Sequence, residues 1–441
     1  MDEARALHTM ETDEDPQNLT TADLHRNVDV ERGMHQIWML ALSLSILQMG
    51  FGIVTPIFPY YVVELGVGAT ELGVLAASFA ITRVILAGPL GGLSDRVGRK
   101  PVLLGALVGF AIANVVYAMA TNIYVMIGAR AIEGAVSAGF YPAANAFVSD
   151  VTVPENRGTA MGYLNVGNMV GFIIGPTAGG ALAQFLGIRM PFIVAAFITM
   201  GTFLAVLVLV VEPEKKILTE EQIAHQLSLM KVFAREKRAY SALAISMFAN
   251  MFAMGILEVA FLLDAVVRFN VSPLEIGLLF GIMGVVMIIG NVLFGRISDI
   301  YGRKWLIVLG AVIGAASLYM FMVSGDFVGF TIAGAVLSLG ISMRGPTIQA
   351  LIGDLTDERA YGVVMGAFGA ISNGAYAISP IIGGVMYDRS GDSVSSLAVA
   401  AVVTLAGGFV AAIGLPSGLV GSAREAWQQT QAAGAVAETG D

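Results

Sequence analysis

Twelve apolar runs divide this chain, at about 36–64, 70–94, 101–121, 122–148, 157–186, 188–211, 240–268, 273–298, 304–324, 326–352, 361–388 and 392–414, each bounded by glycine, proline or charge. Each matches the ~20 residues that an α-helix needs to cross a bilayer. A backbone in hydrocarbon must satisfy its own hydrogen bonds, and these runs are too long and too evenly apolar for the alternating strands of a membrane barrel. Only 13% of the residues are charged, against about 25% in soluble domains, which excludes a soluble globular fold. The expected fold class is therefore an all-α membrane protein with twelve transmembrane helices.

The formal net charge of -9 is unevenly spread. The tails, residues 1–34 and 417–441, hold -6 and -2, leaving a membrane body of about -1. All six lysines and twelve of the eighteen arginines fall in tails or loops on one side of the helix map. The other side has only Arg189, Arg268 and Arg389. The positive-inside rule makes the basic side cytoplasmic and puts both termini there, in a multi-pass protein of the cell membrane. The acidic, polar N-terminus predicts no cleavable signal peptide. With no cysteine and four histidines, disulfide frameworks and thiolate chemistry are excluded and no metal site is expected. No GxxxxGKS loop occurs, so neither ATP nor any other cofactor is expected and no enzymatic activity is implied.

The segment GGLSDRVGRK at 91–100 returns as GRISDIYGRK at 295–304, an offset of 204. The same offset carries Pro142 to Pro346, Asp150 to Asp354, Gly162 to Gly366, Pro176 to Pro380, Gly179 to Gly383 and Gly180 to Gly384. Two parallel six-helix halves follow, 35–211 and 240–416, joined by a linker at 212–239. In the linker, Thr219 to Gln222 read as a capping box before Ile223, Leu227 and Met230 at helical spacing, an amphipathic helix along the cytoplasmic face or a simple tether. Parallel six-helix halves are a transporter plan, with substrate bound between them and access alternating as they rock. Repetition alone fits a pore or a receptor too.

The turn Gly91, Leu93, Ser94, Asp95, Arg96, Gly98, Arg99, Lys100 places a carboxylate beside three cations at a membrane edge, where charge-assisted hydrogen bonds can break and re-form as helices slide. It resembles the GxLaDrxGrk signature of the major facilitator superfamily, and the resemblance extends over about residues 36–414. It implies the major facilitator fold and a cytoplasmic gate in which Asp95, Arg96, Arg99 and Lys100 act with Asp150. Asp299, Arg303 and Lys304 repeat that gate in the second half, where Ile297 and Ile300 replace the leucine and the first arginine and imply a weaker latch.

Glycines spaced along helix 5 remove side chains from one face and let a neighbouring helix approach, and Pro176 bends it. The spacing Gly162, Gly171, Gly175, Pro176, Gly179, Gly180 resembles the antiporter motif of drug-efflux members, and at the repeat positions Ala375 and Ser379 break it. In helix 1, Gly50, Pro56 and Pro59 are similar to a pattern of twelve-helix drug antiporters, with Met49 and Ile57 as departures, or simply mark the helix end. In helix 4, Arg130, Glu133 and Gly134 resemble the family's RxxqG motif, whose arginine is associated with proton transfer; Glu133 and Val136 depart from it.

Ionisable groups within a bilayer are costly and so are functional candidates. Arg130 and Glu133, three residues apart, share a helix face and either neutralise each other or move a proton, and Glu258 is the alternative proton site or an interfacial snorkel. Three intramembrane arginines, Arg83, Arg130 and Arg344, against two glutamates do not support a strictly cationic substrate. The resemblance implies a proton-coupled exporter of small amphipathic compounds, a monomer whose partners are the bilayer, a small-molecule substrate and protons, with no nucleic acid. An importer or facilitator of a polar metabolite, or a transporter-like sensor, stays open.

Overall fold

The computed structural model describes residues 21–152, 154–213, 233, 236–356 and 358–416. The proposed linker helix around Thr219 to Met230 lies outside the described residues, as do the distal tails. In the first half the helices are α1 (Thr21–Val54), α2 (Ala69–Val97), α3 (Arg99–Met119), α4 (Ile123–Val151), α5 (Pro154–Leu186) and α6 (Met190–Leu209). The second half repeats them as α7 (Lys237–Leu263), α8 (Pro273–Tyr301), α9 (Arg303–Val323), α10 (Phe327–Leu355), α11 (Glu358–Ser390) and α12 (Val394–Gly414). Among the described residues there is no strand, and eleven of the spans are long and apolar enough to cross a membrane. The remaining helix, α11, has 33 residues and is of membrane length. α1 starts inside the acidic N-terminal segment, so its first turns precede the apolar run.

Pro56 opens a 3-10 turn, Thr55–Ile57, and Pro59 opens the short helix Phe58–Glu64 that follows. Both prolines stand in first-turn positions, where the missing N–H has no partner to lose, so the chain stays helical to Glu64. α7 ends likewise, passing into a π turn, Asp264–Arg268.

The 204-residue repeat extends to the local chemistry of the helix ends. Asn122 caps α4 by accepting from Val125 N at 3.0 Å, and its equivalent Asp326 caps α10 by accepting from Gly329 N at 2.8 Å. Glu71 reaches back to Gly68 N at 3.0 Å, as Glu275 does to Ser272 N at 2.8 Å. These satisfy helix N–H groups that the membrane surface leaves bare.

Packing follows the repeat too. In the first half α1 packs on α5 and α6, α2 on α4, and α3 on α4 and α6; the second half has the same neighbours, each numbered six higher. The halves meet through α2 with α11 and α5 with α8. Lipid gives apolar helices no hydrophobic reason to associate, so close backbone approach must supply the attraction. That is where the α5 glycines sit. A Cβ on Gly171, Gly175 or Gly179 would strike the α1 backbone at Ser45, Met49 and Ile53. Gly162, nearer the start of α5, has open space around it.

Candidate functional site at the interface of the two halves

At the end that carries the lysines, α2 joins α3 through Gly98 alone and α8 joins α9 through Gly302. Their φ values of +108° and +97° are open to glycine and strained for other residues. This turn lets the first arginine of each following helix fold back. Arg99 bonds Asp95 across the turn, reaches Ser94 Oγ at 3.2 Å, and donates from Nε to Asp150 at 3.2 Å. Arg303 repeats the arrangement, with Asp299 at 3.6 Å and Asp354 at 2.6 Å. Each cluster clamps α2, α3 and α4, or α8, α9 and α10, and each pair stays within one half. Gly91 has open space around it, Arg96 is exposed in the last turn of α2, and Lys304 is half-buried. Lys100 donates from Nζ to the Leu207 carbonyl at 2.8 Å.

Glu212 completes this end of the fold without standing out in the sequence. Its carboxylate accepts from the backbone N–H groups of Arg99 and Lys100 at 2.6 and 2.7 Å, an anion seated on the N-terminus of α3. A single acid just past an apolar run gave no signal, and Pro416 stands at its repeat position.

Near the centre, Arg130 Nη1 donates to Glu133 at 2.8 Å and Tyr117 OH donates to the same oxygen at 2.9 Å. Arg130 is 2% exposed and Glu133 fully buried. Phe51 and Phe58 of the first membrane span and Phe79 of α2 surround the guanidinium with centroids 4.6, 5.0 and 4.9 Å away. Cation–π attraction stabilises a charge that has left water. From the other half, Glu258 of α7 lies near enough to Arg130 for the charges to interact. It has no hydrogen-bond partner among the described residues and is half-buried. The three proton-coupling candidates thus lie within electrostatic reach of one another across the divide between halves.

Away from the lysines the halves are sealed by two related contacts. Gly180 abuts Pro273 and Gly277 abuts Pro176, joining α5 to α8. Gly384 abuts Ala69 and Gly73 abuts Pro380, joining α11 to α2 at positions 204 residues on or back. Gly73 and Gly277 lie on the repeat diagonal but carried no motif that singled them out. Thr177 Oγ1 donates to Gly277 O at 3.0 Å and Tyr60 OH to Val271 O at 2.6 Å. The Asp388 carboxylate accepts from Ala69 N at 2.9 Å, Thr70 N at 2.8 Å and Thr70 Oγ1 at 2.5 Å. The hydrogen bonds that Tyr60, Thr70, Thr177 and Asp388 make between halves all lie at this end; toward the lysines, Gly88, Gly92, Gly366 and Gly369 have open space.

The family model described as Major Facilitator Superfamily matches residues 40–263 and 243–434. The chain belongs to that superfamily. It is a multi-pass membrane transporter of small molecules, not an enzyme. It is 28% identical over 362 residues to multidrug resistance protein 2 of Bacillus subtilis (strain 168), covering 80% of this chain and 89% of the relative. It is 25% identical over 363 residues to quinolone resistance protein NorA of Staphylococcus aureus (strain COL), covering 80% and 90%. Its fold is similar to the crystal structure of a bacterial homologue of the human lysosomal transporter Spinster, inward-facing and unoccupied, with a TM-score of 0.70, 15% identity, and 87% and 95% coverage.

In this member of the superfamily, a cavity of about 100 Å³ opens among Gln48, Phe51, Phe79, Arg83 and Tyr141. Tyr141 OH donates to Gln48 at 2.6 Å, and Arg83 lies 5.3 Å over the Tyr141 ring. Gly50, beside Phe51, leaves room for Phe110, which a Cβ would approach to 3.2 Å.

Asp388 yields a direct expectation. Asp388→Asn keeps the shape but removes a charge facing a helix N-terminus, and should weaken the sealed state by about 1–2 kcal/mol, near tenfold. Spin labels at Val97→Cys and Tyr301→Cys, on a chain with no native cysteine, should report more molecules with the lysine-bearing ends together. An unchanged distance distribution would show that the bond carries no weight.

Proposed function

We propose that the protein exports small amphipathic compounds in exchange for protons, by alternating access between two rocking halves. The observation that carries this reading is the placing of Glu258 of one half within electrostatic reach of the Arg130–Glu133 pair of the other, beneath the seal. A titratable group whose surroundings change as the halves part can couple its proton to that motion. The likeness to multidrug and quinolone resistance proteins supports the substrate class, and the aromatic cavity beside Gln48 and Arg83 offers such molecules apolar faces with few polar anchors.

With the lysine-bearing end in the cytoplasm of the cell, as the charge bias indicates, the halves are parted inward and sealed outward. Substrate then enters from the cytoplasm or the inner leaflet. Breaking the Asp388 and Thr177 links and closing the inner ends delivers it outside, where a proton is taken up for the return. The Arg99 and Arg303 clusters keep each half rigid while it rocks.

The test is reconstitution in proteoliposomes with an acidic lumen and external ethidium, rhodamine 6G, a neutral dye and an anionic dye in parallel. One pH unit supplies ~1.4 kcal/mol per proton, enough for about tenfold accumulation. Accumulation that a protonophore collapses is the expected result. Equilibration without proton counterflow would make the protein a facilitator, and binding without flux a sensor; either would overturn the proposal.

A further inference from the structure

Arg344 of α10 is a cation placed where the described residues offer it no anion. It is 3% exposed, deep within the second half, and among the described residues makes one hydrogen bond, from Nη2 to the Ser246 carbonyl of α7 at 3.3 Å. Its Nε and the neighbouring Ser246 Oγ are both buried without a partner among the described residues. No carboxylate among the described residues pairs with it or acts on it. The acids of the four surrounding helices are engaged elsewhere: Glu258 faces Arg130, and Asp354 binds Arg303. A buried cation left uncompensated costs several kcal/mol.

Beside this guanidinium lies a cavity of about 20 Å³, also lined by Asn250, Gly310, Gly314, Gly340 and Thr404. The Asn250 side chain, one helical turn after Ser246, has no hydrogen-bond partner among the described residues. Gly310 keeps the space open, since a Cβ there would come within 2.6 Å of Arg344 Cγ. The volume suits one water-sized occupant and excludes an organic group.

The first half shows what the same fold does without such an occupant. At the positions 204 residues earlier stand Phe140 for Arg344, Ile46 for Asn250, Ala106 for Gly310, Phe110 for Gly314 and Val136 for Gly340. Phe140 and Phe110 are 1% and 2% exposed within a packed apolar cluster. Architecture therefore demands neither the arginine nor the space. The second half has exchanged apolar filling for a cation, unused donors and a hole.

We infer that this hole is a binding site for a single small monovalent inorganic anion of chloride size, held by Arg344 and by the Asn250 amide, with the Ser246 hydroxyl one turn away. The ion neutralises Arg344 inside the second half. The site is separate from the Glu258 cluster and does not depend on the export reading.

The experiment uses the full chain in nanodiscs, with chloride-36 equilibrium binding and thermal unfolding in sodium chloride against sodium gluconate. Wild-type protein should bind about one chloride per chain and unfold at a higher temperature in chloride, because a ligand of the folded state stabilises it. Arg344→Gln should weaken chloride affinity at least tenfold, the worth of a lost charge-assisted bond. Asn250→Ile, which installs the first half's residue, should weaken it several-fold and remains decisive if Arg344→Gln does not fold. Absence of saturable chloride binding by the wild-type protein would mean that the cavity holds only water, and would overturn the inference. So would affinity unchanged in either variant.

Discussion

Glu258→Gln should abolish pH-gradient-driven dye accumulation, lowering it at least tenfold, while dye–dye exchange across the same proteoliposomes stays within about twofold of wild type. The two glutamates of the central cluster are placed differently. Glu133 is fully buried and accepts from both Arg130 and Tyr117. Taking up a proton there breaks charge-assisted bonds worth ~1.5–3 kcal/mol each. Glu258 has no such bonds to break and is half-buried at the divide, where water arrives when the halves part. The amide of Glu258→Gln keeps the volume but carries no exchangeable charge, so exchange of bound dye continues and the gradient no longer drives it. Glu133→Gln should behave differently. It leaves Arg130 buried without a counter-ion, and removing one partner of such a pair typically costs ~3–5 kcal/mol, so lowered thermal stability and yield should dominate. Full retention of the gradient dependence by Glu258→Gln, with its loss in a folded Glu133→Gln, would move the proton site to helix α4.

The two variants probe a cluster that was only half legible in the sequence. Arg130 and Glu133 lie three apart in an apolar run, so helical periodicity places them on one face. The charge of Glu258 likewise stands out against its surroundings. Tyr117 and the ring of Phe51, Phe58 and Phe79 were not legible, because aromatic residues are common in such helices and nothing local says which ones turn toward a cation. The twelve spans were legible because bilayer thickness fixes their length, and the parallel halves because identical residues recur at 204. Contacts between halves were harder to see. Asp388 and Thr70 are 318 residues apart and break the repeat, with Gln184 at the position equivalent to Asp388. Gly73 and Gly277 obey it but look like any other membrane glycine. The diagonal also held an unused signal: a position that is phenylalanine in one half and arginine in the other, 140 against 344, marks a change of chemistry within a constant frame.

Those two glycines give the second large effect. Leucine at both positions, Gly73→Leu with Gly277→Leu, should drive the protein out of the outward-sealed state. At Gly277 an added Cβ would lie 2.7 Å from Pro176 O and 3.1 Å from Thr177 Cα, and at Gly73 it would collide with the Pro380 carbonyl. These obstacles are backbone atoms, so no rotamer change relieves them and the helices must separate. Overpacking of this kind costs ~1–3 kcal/mol per site. The two contacts involve different helix pairs, α8 with α5 and α2 with α11, so their penalties should add, shifting the equilibrium roughly thirtyfold or more. In the opposite state the sealed ends part and the leucines project into the gap. Labels at Val97→Cys and Tyr301→Cys should then show the short distance as the main population, with dye transport lost because the cycle cannot return to its inward-open state. Gly162→Leu, where open space surrounds the residue, is the control and should leave distances unchanged. If the double variant folds, keeps the wild-type distances and transports dye normally, the paired glycines do not form the seal.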